Sequence, residues 1–129
     1  MKQYDWTGRS GFGVFLESGG WRIAYHAYDE AVNGPSAVKN WGMHLDSGEM
    51  FVLLAGSAVL AVKSDAGEVR TARLVPGDVS LVETGERHIL ALTPGARVLI
   101  AENRNMDNSR TEPADDSEIA QVVRALQAD

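Results

Sequence analysis

Short apolar runs, separated by turn residues, fill roughly the first hundred positions of the chain. Glycine, proline, asparagine and aspartate recur about every 8–12 residues, which is the spacing of turns in an all-β sandwich or barrel. Several of the runs are rich in β-branched and aromatic residues, which favour strands. The pattern predicts eight strands, over residues 21–28, 38–44, 49–54, 58–63, 68–75, 79–82, 88–93 and 97–102.

The pattern changes after residue 104. Residues 103–113 are polar and are predicted to form a linker. Asp115 is followed three residues later by Glu118, a variant of the capping box that begins helices. Apolar residues then recur at helical spacing up to Leu126, which predicts a short amphipathic helix over 116–127. We therefore expect residues 1–104 to form a β-barrel, and residues 105–129 to form a linker and a helix that packs on the same domain.

Composition limits the class of protein. The chain has 129 residues, of which 44% are hydrophobic and 23% charged, values typical of one globular domain. It has no cysteine, which excludes disulfides and thiolate metal ligands. No apolar run approaches about 20 residues and the amino terminus resembles no secretory signal, so we expect no membrane span and a cytoplasmic location.

The formal net charge is −6, and much of it lies near the carboxyl end. Residues 105–129 carry six acidic and two basic side chains, as expected of a solvated tail. No cluster of lysine and arginine offers a surface to phosphates, so we expect no binding to nucleic acid.

One predicted strand is apolar on both of its faces, from Met50 to Leu54. One face can fill the barrel, whereas the other can pack against the carboxy-terminal helix or against a second copy of the chain. A subunit contact there would make the protein a homodimer.

Two segments of the chain contain the residues best suited to chemistry. The first runs from Gly42 through His44 and Glu49, and the second ends at His88. Two imidazoles and one carboxylate are ligands that proteins offer to iron, manganese, nickel or zinc.

The spacing of these segments resembles the paired motifs of the cupin superfamily. In that family the first motif reads Gly, five residues, His-x-His, three or four residues, Glu, six residues, Gly. Here His44 lies at the second histidine, Glu49 at the glutamate and Gly56 at the closing glycine, while Gly77 and His88 match the second motif. The resemblance implies a jelly-roll β-barrel with a metal site formed by His44, Glu49 and His88.

The chain departs from the cupin motifs at three positions. Gly42 stands in place of the first histidine, Glu83 in place of a proline, and Leu92 in place of an asparagine. The three remaining ligands match a facial triad, which leaves positions on the metal open. The resemblance then implies an oxygenase, an isomerase or a lyase acting on a small polar metabolite. The alternative is a non-catalytic module that binds a small molecule and has lost its metal, with both histidines hydrogen-bonded in the interior.

Further residues are candidates for the pocket around this site. His26 is either a substitute ligand or substrate hydrogen-bonding group inside the barrel, or a histidine on the outer face of its strand, and the second interpretation is favoured. Arg87 either orients a substrate carboxylate or is a solvated loop charge. Aromatic side chains commonly line small-molecule pockets, but packing explains them equally well. The remaining pocket candidates are Trp21, Tyr25, Trp41, Gly42 and Leu92.

Overall fold

The computed structural model describes residues 1–128, in which ten strands precede one α-helix. The strands are β1 (Gly11–Ser18), β2 (Trp21–Ala27), β3 (Asn40–His44), β4 (Glu49–Ala55), β5 (Ala58–Lys63), β6 (Val69–Arg73), β7 (Val79–Val82), β8 (Arg87–Leu92), β9 (Arg97–Asn103) and β10 (Ser109–Pro113), and the helix is α1 (Asp116–Gln127).

The strands form two five-stranded antiparallel sheets. The first sheet has the order β1-β2-β9-β4-β7, and the second has the order β10-β3-β8-β5-β6. Strands that follow one another in the chain often lie in different sheets, as in a jelly roll. The prediction of an all-β jelly roll with a carboxy-terminal helix is confirmed.

The main core lies between the two sheets. Ala24, Phe51 and Val98 project into it from the first sheet, and Leu60 and Leu92 project from the second. Because side chains alternate between the faces of a strand, every second residue of β2, β4, β8 and β9 points toward this core. The same alternation decides which polar residues reach the interior.

Gly56 makes the turn from β4 to β5. Its φ is +71°, and a Cβ at this position would lie 2.5 Å from the Cα of Ala96. Both the left-handed backbone and the close approach require glycine. The strand therefore turns where the closing glycine of the first motif predicts.

The helix α1 covers the outer face of the second sheet. Val122 and Leu126 pack against Val59 and Trp41, and all four are buried. At its amino end, the side chain of Asp115 accepts a hydrogen bond from the Glu118 backbone, and the Glu118 carboxylate accepts one from the Asp115 backbone. The predicted capping box is present.

The eight predicted strands correspond to β2–β9, but two strands were not predicted. β1 contains Gly11 and Gly13, which weaken the strand pattern. β10 lies within 103–113, so the prediction of a linker there is wrong for residues 109–113. β10 is mostly polar and exposed because it is the edge strand of the second sheet, where only its pairing with β3 identifies it as a strand.

The α1 helix has 12 residues, and no helix within residues 1–128 is long and apolar enough to span a membrane.

Candidate metal centre

His44, Glu49 and His88 reach one point between the two sheets from three different strands. His44 ends β3, Glu49 begins β4 in the opposite sheet, and His88 lies in β8 beside β3. Trp41 and Ile89 belong to the cluster beneath α1, so alternation turns His44 and His88 inward. Because Trp41 and Ile89 point outward and pack against α1, His44 and His88 point to the inner face of the same sheet.

The three side chains lie close together. Nε2 of His44 is 3.0 Å from Oε1 of Glu49, and Nε2 of His88 is 3.1 Å from the same oxygen. One nitrogen or oxygen from each residue lies within 4.8 Å of the others. The two ring centroids are 5.1 Å apart. Two nitrogens and one oxygen therefore point at a common centre.

Hydrogen bonds at the far side of each ring set its orientation. Nδ1 of His88 donates to the backbone carbonyl of Glu86 at 3.1 Å. Nδ1 of His44 lies 2.8 Å from the Ser109 hydroxyl, which itself donates to the Met106 carbonyl at 2.6 Å. Since that hydroxyl has one hydrogen, His44 must donate to it. Both neutral rings consequently present an unprotonated Nε2 to the centre.

Oε1 of Glu49 is buried and has no hydrogen-bond partner among residues 1–128. It lies beside two nitrogens that, in neutral rings, offer only lone pairs. A buried carboxylate oxygen in such a place is costly unless a positive charge lies between the groups. The donor set and the unpartnered oxygen both fit a divalent cation, and these three residues could hold one.

A second carboxyl group adjoins Glu49. Arg22 of β2 pairs in register with Glu102 of β9, and the neighbouring pair Met50–Ala101 places Glu49 beside Glu102. Arg22 forms an ion pair with Glu102, whose carboxyl group adjoins that of Glu49. A row of arginine, glutamate and glutamate therefore crosses the inner face of the first sheet.

The proximity of these groups shifts their pKa values. Burial, together with the neighbouring charge of Glu49, raises the pKa of Glu102 to about 7, although Arg22 opposes this shift. Burial alone would raise the pKa of Glu49, but His44, His88 and Glu102 outweigh it and lower that pKa. Burial would lower the pKa of His88, but Glu49 outweighs it and raises that pKa. The site therefore favours a positive charge beside Glu49, carried by a proton or by a cation.

A cavity of about 480 Å³ opens onto this centre. Its volume lies in the range of small-molecule sites. The three candidate ligands line it together with Arg22 and Glu102. Its remaining lining residues are Phe12, His26, Val32, Asn33, Gly34, Ala37, Val38, Lys39, Asn40, Phe51, Ile89, Leu90, Met106 and Ser109.

Two of the predicted pocket residues lie at the site. His26 lines the cavity and hydrogen-bonds Asn33, so the favoured placement on the outer face is wrong. His26 lies two residues after Ala24 on β2, and residues two apart share one face of a strand. Because Ala24 belongs to the inner core, His26 also points inward. Gly42 pairs with His88, and a Cβ at Gly42 would lie 3.9 Å from Cε1 of His88.

The other predicted pocket residues lie elsewhere, and their assignment to the pocket is wrong. Trp21 is half exposed at the start of β2, and Tyr25 packs against Trp6 and Phe15 on the outer face of the first sheet. Trp41 is buried beneath α1, where its indole N–H donates to Glu118 at 3.2 Å.

Arg87 and Leu92 also lie outside the cavity. Arg87 forms ion pairs with Asp65 and Glu112 at 2.9 and 2.7 Å. Its guanidinium therefore lies on the surface of the second sheet and not in the cavity. Leu92 is fully buried in the main core, four residues along β8 from His88, or about 13 Å. The Arg87 side chain lies on the outer face of the second sheet, whereas Leu92 shares the inner face with His88 but lies too far along β8 to line the cavity.

Sequence reasoning missed Arg22, Glu102, Phe12 and Ser109. A usable signal existed for two of them. Arg22 alternates with Ala24, and Glu102 alternates with Ile100, so each charged residue occupies an inward position of an apolar strand. A charged residue at such a position is uncommon without a partner and marks a site.

Comparison with known proteins agrees with the geometry. A family model described as Cupin matches residues 27–127. A cupin-2 domain protein from Shewanella frigidimarina has 19% identity and a TM-score of 0.55, covering 73% of this chain and 80% of its own. A cupin superfamily protein from Desulfitobacterium hafniense has 15% identity and a TM-score of 0.55, covering 81% and 84%.

An oxalate decarboxylase structure also matches, with 17% identity and a TM-score of 0.55. It covers 86% of this chain but only 30% of its own, longer chain. No curated protein matches the sequence. At these identities the structural likenesses show a shared fold, whereas the family match covers most of the chain. The chain therefore belongs to the cupin superfamily.

Proposed function

We propose that this chain is a metal-dependent cupin that binds one divalent ion through His44, Glu49 and His88 and acts on a small polar metabolite. The proposed reaction classes are oxygenase, isomerase and lyase. The proposed metals are iron, manganese, nickel and zinc, and the set of two nitrogens and one carboxylate suits ferrous iron in particular.

The observation that carries this proposal is the buried Oε1 of Glu49. It lies 3.0 and 3.1 Å from two imidazole nitrogens, and with both rings neutral neither nitrogen donates a hydrogen bond to it. Two neutral histidines hydrogen-bonded through Nδ1 leave that oxygen without a donor, whereas a divalent ion would satisfy it.

A bound ion of this kind supplies Lewis-acid polarisation of substrate oxygens or, when redox-active, activation of dioxygen. The protein's own residues prepare the site. The Nδ1 hydrogen bonds to Ser109 and to the Glu86 carbonyl hold both rings in one tautomer. Arg22 holds Glu102, which in turn orients Glu49. Phe51 and Leu90 line the cavity and limit water.

Metal analysis tests this proposal. Protein purified without a metal-affinity step, then incubated with each metal and dialysed, should retain one equivalent by mass spectrometry of the elements. Glu49→Gln should abolish retention. Glu83→Gln changes an exposed glutamate on a nearby loop and should retain the full equivalent. Equal retention by both variants would contradict the proposal.

A second candidate function is a non-catalytic module that binds a small molecule without metal. Gly42 favours it, because the first motif histidine is missing and only three ligands remain. This module would bind a cavity ligand with equal affinity before and after chelation of metals, whereas the metal-dependent protein would not.

We also propose that the protein is a homodimer through the outer face of the first sheet. Val79 and Leu81 on β7 are 66% and 63% exposed, and Leu54 on β4 is 49% exposed. Met50 pairs with Leu81 and Val52 pairs with Val79, so these side chains form one continuous apolar surface. A second copy would cover it.

A further inference from the structure

Arg22 lies on the cavity wall and has hydrogen-bond donors that its contact with Glu102 does not use. Its Nε and Nη2 both contact one oxygen of Glu102. A guanidinium has five N–H groups, and Nη1 has no hydrogen-bond partner among residues 1–128. The side chain is 18% exposed and lines the cavity. It can therefore bind an anionic oxygen while it still holds Glu102.

The charges around the cavity favour an anion. Arg22 and Lys39 contribute two positive charges to the lining, and Glu49 and Glu102 contribute two carboxyl groups. These balance in the protein alone. With a divalent ion on His44, Glu49 and His88, positive charge exceeds negative charge, and a ligand that brings a carboxylate lowers that excess.

Part of the wall is apolar and uncovered. Phe12 is 44% exposed and Val32 is 47% exposed, although both line the cavity. The Phe12 ring lies between Arg22 and His26, with its centroid 5.7 Å from the guanidinium carbon and 5.2 Å from the imidazole centroid. An apolar body placed there would bury the ring beside a cation. Contact with such a body removes the exposed Phe12 ring from water, which is favourable.

His26 presents one more donor. The amide nitrogen of Asn33 donates to Nδ1 of His26 at 3.0 Å and to the Ala27 carbonyl at 3.0 Å. The hydrogen of the His26 ring is therefore on Nε2, which has no hydrogen-bond partner among the described residues. Burial lowers the pKa of His26 to about 4, so this donor is neutral at pH 7. It suits a hydroxyl or carbonyl oxygen.

We propose that the cavity binds a monocarboxylate with an apolar body, aromatic or branched, whose carboxylate contacts Arg22 and whose body lies against Phe12 and Val32. The inference rests on the proposed small-molecule role of this cavity, but the arginine and the apolar wall do not depend on the metal. It excludes ligands as small as two-carbon acids, which would leave the wall bare in a cavity of about 480 Å³.

Calorimetric titration of the full chain with three probes tests the inference. The probes are benzoate, its neutral amide benzamide, and acetate, which has the charge without the body. Each is titrated into metal-free and metal-loaded protein. Benzoate should bind at least about tenfold more tightly than either of the others, because only benzoate offers both features.

Paired variants assign the two features to residues. Arg22→Gln combined with Glu102→Gln removes the cation without leaving a buried carboxylate unpaired, and should weaken benzoate at least about tenfold but benzamide less than about twofold. Arg104→Gln combined with Glu17→Gln removes an exposed ion pair elsewhere and should change neither. Phe12→Ser should weaken benzoate about fivefold, whereas Tyr4→Ser, an aromatic of equal exposure, should not.

The outcomes separate this inference from the proposed function. Equal affinities for benzoate and benzamide, or unchanged benzoate binding by the Arg22/Glu102 variant, would overturn the inference even if metal binds at His44, Glu49 and His88. Tighter binding of acetate than of benzoate would overturn it too. Benzoate selectivity in protein that retains no metal would support the inference while the metal proposal fails. If the double variant is unfolded by circular dichroism, Arg22→Lys decides, with weaker benzoate binding expected because lysine lacks the second arm.

Discussion

Nδ1 of His44 and Oγ of Ser109 lie 2.8 Å apart, across the paired strands β3 and β10. The two residues are directly paired in the strand register, and the Ser109 hydroxyl donates a hydrogen bond to the Met106 carbonyl. The orientation of a candidate metal ligand is thus set by a strand from the polar stretch near the carboxyl end. Removing β10 would leave His44 free to rotate.

Ser109→Ala should weaken metal binding about 10-fold to 100-fold, because the bond that orients His44 is lost. Competition with a chelating dye measures the affinity. Ser36→Ala removes an exposed hydroxyl outside the metal centre and should leave the affinity unchanged. If both serine variants bind metal as the unmodified protein does, Ser109 has no orienting role.

Gly42→His should strengthen metal binding by at least about tenfold, because it adds a fourth ligand beside His88. The backbone there tolerates a side chain, since a Cβ would meet nothing closer than 3.9 Å. Gly42→Ala is the matched control and should leave the affinity unchanged. The same chelator competition applies, and a folded histidine variant with unaltered affinity would show that residue 42 does not face the metal.

His26 should make the protein less stable in mild acid. Its pKa is about 4 in the fold and 6.5 ordinarily, so the unfolded chain takes up the proton more readily. Its contribution is complete above pH 6.5 and is lost as the pH falls to 4, a change of about 3 kcal/mol in the free energy of unfolding. Burial is the main cause, and Glu49 opposes it.

Urea denaturation at several pH values measures this change. His26→Gln retains an acceptor for Asn33 but does not titrate, so its free energy of unfolding should fall less between pH 6.5 and 4 than that of the unmodified protein. Parallel curves for the two proteins would contradict the assignment.

Leu81→Glu should convert the proposed dimer to a monomer, because it places a charge in the apolar surface of the first sheet. Light scattering coupled to size exclusion measures the mass. Ala120→Glu adds the same charge at an exposed position on α1 and should remain dimeric. An unmodified protein that is monomeric at every concentration would refute the dimer.

The sequence predicted the strands that alternate clearly and the three residues with motif spacing. His44, Glu49 and His88 could be grouped because their chemistry and intervals coincide with two known segments. β1 and β10 were missed, because one is interrupted by glycine and the other is a polar edge strand. β1 pairs with its neighbour β2 through a tight turn, whereas the partner of β10, β3, is distant in the chain, and no local pattern records that second pairing.

The pocket was predicted less well, because residue type does not show whether a side chain points to the inner or the outer face of its strand. Trp41 and Tyr25 were chosen as aromatics, yet both lie on outward positions of their strands. Arg22, His26 and Glu102 occupy inward positions, and alternation with core residues identifies all three once the strands are known. What alternation cannot supply is distance, such as the contact between Glu102 and Glu49, since it depends on how β9 and β4 pair.

The most direct test of the metal centre is a crystal structure of the metal-loaded protein, with anomalous diffraction recorded at the absorption edge of the metal. We predict one strong peak between the two sheets, about 2.0–2.2 Å from Nε2 of His44, Nε2 of His88 and a carboxylate oxygen of Glu49. A peak elsewhere, or a fully loaded crystal with no peak among these three residues, would contradict the account.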